Sequence, residues 1–117
     1  MKKILIIDDS SLSRKIIRRM IGEESYEFIE AGEGLAAIEA YKANHPDLVL
    51  LDLNMSGMSG MEVLRHIKEI DSQARIIIGS ADIQQATIDE FMAAGATAYI
   101  TKPFKQEQIK EILKRFI

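Results

Sequence analysis

Short apolar runs alternate with amphipathic stretches along the whole chain. Residues 3–7, 48–51 and 74–78 are nearly continuous Ile, Leu, Val and Ala, as expected of strands buried on both faces. Residues 26–30 alternate and predict a strand with one exposed side, and residues 97–100 a short strand. Between these runs the apolar positions recur at helical spacing. Leu12, Ile16, Ile17, Met20 and Ile21 follow a cap at Ser10 or Ser11 and end at Gly22. A second helix covers residues 34–43 and stops before Asn44-His45-Pro46. Residues 52–60 read as a loop punctuated by Gly57 and Gly60. Residues 61–70 form the next helix, with Met61, Leu64 and Ile67 on one face. Residues 83–93 read as a helix closed by Gly95. Residues 105–116 read as a last helix with Ile109, Ile112, Leu113 and Phe116 on one side. About five strand–helix units in strict alternation call for a doubly wound α/β fold, a mostly parallel sheet covered by helices on both faces with right-handed crossovers.

Composition narrows the classes. The 117 residues suit one domain over 1–117, and neither a linker, a repeat nor a low-complexity stretch interrupts it. A hydrophobic fraction of 47% with 28% charged residues is globular, and a net charge of -3 exerts no general pull toward nucleic acid or anionic membrane. Without cysteine there is neither a disulfide framework nor a thiolate metal site. The two histidines, His45 and His66, lack ligand spacing and read as exposed helix or turn residues. The opening apolar run stops at Asp8, too soon for a signal peptide, and no run approaches a membrane span, so a cytoplasmic location is expected.

Open parallel sheets build their sites beyond the carboxyl ends of the strands. That rule selects Asp8 and Asp9 after the first strand, Asp52 after the third, Ser80 after the fourth and residues 101–104 after the fifth. Each has an ordinary local explanation: a helix cap for Asp8-Asp9 or Ser80, a turn for Asp52, an exposed loop lysine for Lys102. Gathered at one edge they form a chemical set. Converging carboxylates repel unless a cation sits among them, and oxygen ligands suit Mg2+. Asp52, on the more central strand, can serve as ligand and as nucleophile toward a phosphoryl donor. Lys102 offers positive charge and Ser80 a hydroxyl donor to phosphoryl oxygens.

Asp8-Asp9-Ser10, Leu51-Asp52-Leu53-Asn54-Met55, Gly79-Ser80-Ala81 and Tyr99-Ile100-Thr101-Lys102-Pro103-Phe104 stand in the order and strand context of a known family. Over essentially its whole length the chain resembles the receiver domain of two-component response regulators, of the stand-alone CheY-like kind. The resemblance implies a flavodoxin-like (βα)5 fold with strand order 2-1-3-4-5, an order known for flavodoxin and CheY themselves. It implies that Asp52 accepts a phosphoryl group from a histidine kinase. It implies Mg2+ held by Asp9, Asp52 and the backbone carbonyl of Asn54, with Asp8 acting through water. Lys102 would contact the phosphoryl group, Ser80 would move to bond it, and Tyr99 would swing inward behind it. The Lys102-Pro103 bond is expected to be cis. No enzymatic turnover is expected beyond self-phosphorylation from acetyl phosphate and self-dephosphorylation.

Two departures from the family pattern stand out. Ser56 replaces a usual proline, which predicts a more mobile loop, and Ser80 stands where threonine is frequent. Phosphorylation is expected to couple the site through Tyr99 to the face built from residues 83–93, 97–100 and 105–116. The chain would act as a monomer through a protein partner, binding neither nucleic acid nor membrane. The stretch Ser80-Ala81-Asp82-Ile83-Gln84-Gln85-Ala86 resembles a Ser-Ala-x-x-Gln-Gln segment of some chemotaxis receivers and points to a flagellar-switch effector. Residues 95–99 lack the acidic pair of receivers that dimerise ahead of DNA-binding domains. Two other readings stand beside this one: a phosphorelay intermediate or phosphate sink that exchanges phosphoryl groups with a histidine phosphotransferase, and a degenerate receiver used only for binding. Asn54 and Asp82 flank the site and are expected to influence water access.

Overall fold

The strands of the computed structural model begin at β1 (Lys3–Ile7), β2 (Glu27–Ala31), β3 (Leu48–Asp52), β4 (Ile76–Ser80) and β5 (Ala98–Thr101). They alternate with α1 (Ser11–Ile21), α2 (Gly34–Asn44), α3 (Gly60–Ile70), α4 (Gln85–Ala93) and α5 (Gln106–Phe116). All residues are described except 56, 82 and 83. The strands form one parallel sheet in the order β2-β1-β3-β4-β5. This is the flavodoxin-like (βα)5 arrangement expected above.

The period-two alternation of strand side chains sorts the core into two layers. Ile4 and Ile6, Leu48 and Leu50, Ile77 and Ile100 face one side, where Ile17 and Ile21 of α1 and Ile109 and Leu113 of α5 cover them. Leu5 and Ile7, Val49 and Leu51, Ile76 and Ile78 face the other, under Ala37 and Tyr41 of α2, Val63, Leu64 and Ile67 of α3, and Phe91 of α4. Both faces of β1 and β3 are therefore buried, which explains their unbroken apolar runs. Each such aliphatic side chain contributes about 1.5–3 kcal/mol by leaving water.

Several boundaries differ from the sequence expectation. The fourth strand runs over Ile76–Ser80 rather than 74–78. Ala74 is held in a turn by the Asp71 carbonyl, and ladder pairing starts at Val49 opposite Ile76. Gly79 and Ser80 are thus strand residues, and α4 takes its N-cap at Gln84. The start of the expected helix at Ile83 lies outside the described residues. The fifth strand is shifted by one residue, because Thr97 turns its hydroxyl to accept the Ile76 N–H. The third helix begins one residue early, at Gly60. Ser59 caps it, accepting the Glu62 N–H at 3.2 Å while its own hydroxyl donates to the Glu62 carboxylate, a reciprocal cap spelled Ser-x-x-Glu. On α1 only Ile17 and Ile21 are buried; Leu12 and Ile16 are 65% and 44% exposed, because the sheet accommodates one narrow stripe of that helix. His45 and His66 are exposed, as expected.

One polar tie fastens the α2–α3 layer. The buried Tyr41 hydroxyl donates to the Asp71 carboxylate at the end of α3 at 2.8 Å, and the Gln73 N–H donates to the other oxygen at 2.9 Å. Burial first, then the Asp71 contact, pushes the Tyr41 hydroxyl well above its ordinary range. The Gln73 N–H first, then the Tyr41 hydroxyl, holds the Asp71 carboxyl below the usual carboxylate range. Replacing Tyr41 by Phe should cost about 1 kcal/mol in urea melts at neutral pH. A lowered carboxyl contributes stability above its unfolded value and loses it as pH falls through the folded one. A raised tyrosine contributes below its unfolded value and loses it as pH rises. The deficit of Tyr41→Phe should therefore be largest in the middle range and shrink below about pH 4 and above about pH 10.

Candidate functional site at the carboxyl edge of the sheet

Strand register places the acidic groups. Ile7 pairs with Leu51 across β1 and β3, so Asp8 and Asp52 are next-door neighbours one step on, projecting on the α1–α5 side. Asp52 in turn pairs with Gly79 of β4. The order β2-β1-β3 makes the gap between β1 and β3 the topological switch point, where open α/β sheets bind their ligands.

The side chains converge there. One carboxylate oxygen each of Asp8, Asp9 and Asp52 lies within 4.8 Å of the others. Asp8 and Asp52 are buried, 2% and 6% exposed, while Asp9 faces solvent. Asp52 accepts the Lys102 ammonium at 2.6 Å and the Asn54 N–H at 3.1 Å, both on Oδ1. Asp8 accepts the Ser10 N–H at 2.9 Å on one oxygen and the Ser13 hydroxyl at 2.5 Å on the other. Buried carboxylates this close meet mutual repulsion that one lysine only partly offsets. An all-oxygen donor set with an exposed member fits a hard divalent cation that keeps some of its water.

Lys102 reaches the site because the chain turns back just after β5. Its N–H donates to the Ser80 carbonyl at 2.9 Å, and the following Lys102-Pro103 bond is cis. The ring of Phe104 lies 5.9 Å from the ammonium and packs directly over Gly79. A β-carbon at position 79 would stand 2.5 Å from that ring, so glycine here lets Phe104 close the floor beneath Lys102. Ser80 ends β4 opposite Thr101, buried on the α4 side, which is the opposite face of the sheet from Asp52. Tyr99 is 46% exposed, and a small cavity lined by Ser80, Thr87, Ile88 and Thr101 lies against it. The sequence-selected residues Asp8, Asp9, Asn54 and Lys102 thus gather around Asp52, while Ser80 and Tyr99 line a separate small cavity on the α4 face. Ser56 and Asp82 lie outside the described residues.

Sequence reading selected Phe104 only as part of the segment after β5, and it missed Ser13 and Arg14 as parts of the site. Arg14 donates to the Asp8 carbonyl at 2.5 Å and to Glu30 of β2 at 2.8 Å, tying α1 to the edge. The available signal was spacing, since Ser13 lies three residues after the cap Ser10 and its N–H donates to that serine's hydroxyl.

Fold and edge together place the chain among the α/β proteins that bind at a topological switch point with carboxylate ligands. The chain belongs to the response regulator receiver domain family, which it matches over residues 4–114. It is 40% identical to the chemotaxis protein CheY of Bacillus subtilis (strain 168), covering 97% of this chain and 95% of that one. It is 35% identical to sporulation initiation phosphotransferase F of the same organism, covering 99% and 94%. Among solved structures it is similar to CheY in the CheX-CheY-BeF3-Mg+2 complex from Borrelia burgdorferi, with a TM-score of 0.91, 29% identity, and 99% of this chain and 90% of that one covered.

If three crowded carboxylates form a cation site, removing one should relieve repulsion and remove a ligand together. Asp9→Asn should melt a few degrees higher than wild type in the presence of a chelator. It should lose most of the further rise that millimolar Mg2+ gives the wild type. Thermal melts with and without Mg2+ check both signs.

Proposed function

We propose that this receiver domain accepts a phosphoryl group on Asp52 from a histidine kinase in a Mg2+-dependent reaction and signals through a phosphorylation-switched protein-binding face. The observation that carries this is the buried Asp52 carboxylate, with Lys102 at 2.6 Å and two further carboxylates within 4.8 Å. Asp9, Asp52 and the Asn54 carbonyl would hold Mg2+, with Asp8 supporting through water. Bound there, the ion supplies positive charge against the carboxylates and the phosphoryl oxygens. The Asp52 oxygen away from Lys102 attacks phosphorus as the bond to the donor nitrogen, or to the acetyl oxygen of acetyl phosphate, breaks. Lys102 moves from carboxylate to phosphoryl oxygen, over a distance its flexible stem spans. Ser80 donates its hydroxyl to a second phosphoryl oxygen.

Ser80 and Tyr99 both line the cavity behind the site. Movement of Ser80 toward the phosphoryl group enlarges that space, and the exposed Tyr99 ring can then turn inward. This alters the surface of α4, β5 and α5, where a partner protein would sense it. A chemotaxis pathway with a flagellar-switch effector is favoured by 40% identity to a chemotaxis CheY. The phosphorelay reading is favoured by 35% identity to a sporulation phosphotransferase. Capture of an effector only by the BeF3-treated protein supports the first. Transfer of label from Asp52 to a histidine phosphotransferase supports the second. Both readings place the protein in the cytoplasm, and among the described residues no helix is long and apolar enough to cross a membrane.

Intact mass after incubation with acetyl phosphate and Mg2+ should rise by one phosphoryl group in the wild type. Asp52→Ala should show no shift, and a shift that persists there overturns the assignment. Tyr99→Ala should phosphorylate almost as fast as wild type, and its affinity for the effector should fall about tenfold, the equivalent of about 1.4 kcal/mol. Unchanged effector affinity would sink the role of Tyr99.

A further inference from the structure

The geometry points to Ser13 as a positioning residue that sets Mg2+ affinity by locking the Asp8 carboxylate. This rests on the Mg2+ reading of the acidic edge and adds a residue to it.

Asp8 is the most deeply buried of the three carboxylates, beside Asp52 and next to Asp9. A carboxylate has about four lone-pair directions. The Ser10 N–H takes one on Oδ1, and the Ser13 hydroxyl takes one on Oδ2 at 2.5 Å, the short length of a charge-assisted O–H···O⁻ bond. With one bond on each oxygen, rotation of the carboxylate about its stem breaks at least one of them. The remaining lone pairs stay aimed at the space shared with Asp9 and Asp52.

Helix α1 makes this clamp rigid. The Ser13 N–H is held by the Ser10 cap at 3.1 Å, and the neighbouring Arg14 binds the Asp8 carbonyl at 2.5 Å. Side chain and backbone of Asp8 are thereby fixed by successive residues of one helical turn. An aliphatic residue at position 13 would preserve the helix and put no donor over Asp8. Groups that orient a metal's direct ligands typically change affinity by about 10–100-fold when removed, and Asp8, which would act through water, stands one bond further from the ion. Because the Ser10 N–H remains, the effect here belongs at the low end.

The test is calorimetric titration of Mg2+ into chelator-treated protein, for wild type, Ser13→Ala and Ser13→Thr. Alanine is the strongest helix former, so Ser13→Ala keeps the fold, which a melt in chelator checks. Ser13→Ala should bind Mg2+ about tenfold more weakly, and Ser13→Thr, which retains the hydroxyl, should recover most of that loss. The amide resonance of Ser10, whose N–H sits on the same carboxylate, should shift in metal-free Ser13→Ala and not in Ser13→Thr. Unchanged or tighter Mg2+ binding by Ser13→Ala, with the wild type binding normally, overturns the role of Ser13 and leaves the metal pocket standing. No Mg2+ binding by the wild type overturns both.

Discussion

Repulsion among Asp8, Asp9 and Asp52 is the constraint around which the rest of the molecule is arranged. The sheet brings two of these carboxylates together by register, out of most of their water, where their charges cost free energy. Everything close by offsets that cost or turns it to use. Lys102 and the Asn54 N–H sit on Asp52, and Ser10 and Ser13 sit on Asp8. Asp9 remains in solvent, where an ion arriving with part of its water shell can meet it.

The core supplies the rigidity that keeps such charges in place. β1 and β3 are buried on both faces, so sliding either strand by a residue would draw Asp8 or Asp52 in among apolar side chains. That immobility holds Asp8 opposite Asp52. The helices contribute unequally. α1 and α5 cover the face on which the carboxylates project, and the first turn of α1 reaches into the site through Ser13 and Arg14. α4 covers the other face, where Ser80 and Tyr99 lie. Under the proposed switch, an event at Asp52 would be passed through β4 and β5 to the surface that carries Tyr99.

Much of this was legible in the chain. The strict alternation of elements, the apolar runs ending in Asp8 and Asp52, and the Lys102-Pro103 pair lie in local patterns, because burial of strands and the ends of strands have direct signatures in residue type. What was not legible depended on groups distant in sequence. Thr97 diverting its hydroxyl to Ile76 shifted β5 by one residue, and Asp52 pairing with Gly79 carried β4 on to Ser80. Leu12 and Ile16 fit the helical period and still face outward, since periodicity names an apolar stripe and not how much of it the sheet can cover.

By itself the sequence determined the fold class, the set of residues at the carboxyl edge and the chemistry that oxygen ligands with one lysine can perform, because these follow from residue type and from the period of burial. Only the tertiary structure decided which lone pairs are taken and by whom. Lys102 lies 50 positions from Asp52, and a ring from position 104 fills the space left by Gly79. Ser13 became part of the site through the direction of its hydroxyl. Such facts depend on where side chains point after packing, and a hydrogen bond, unlike burial, is lost over a few tenths of an ångström or a poor angle.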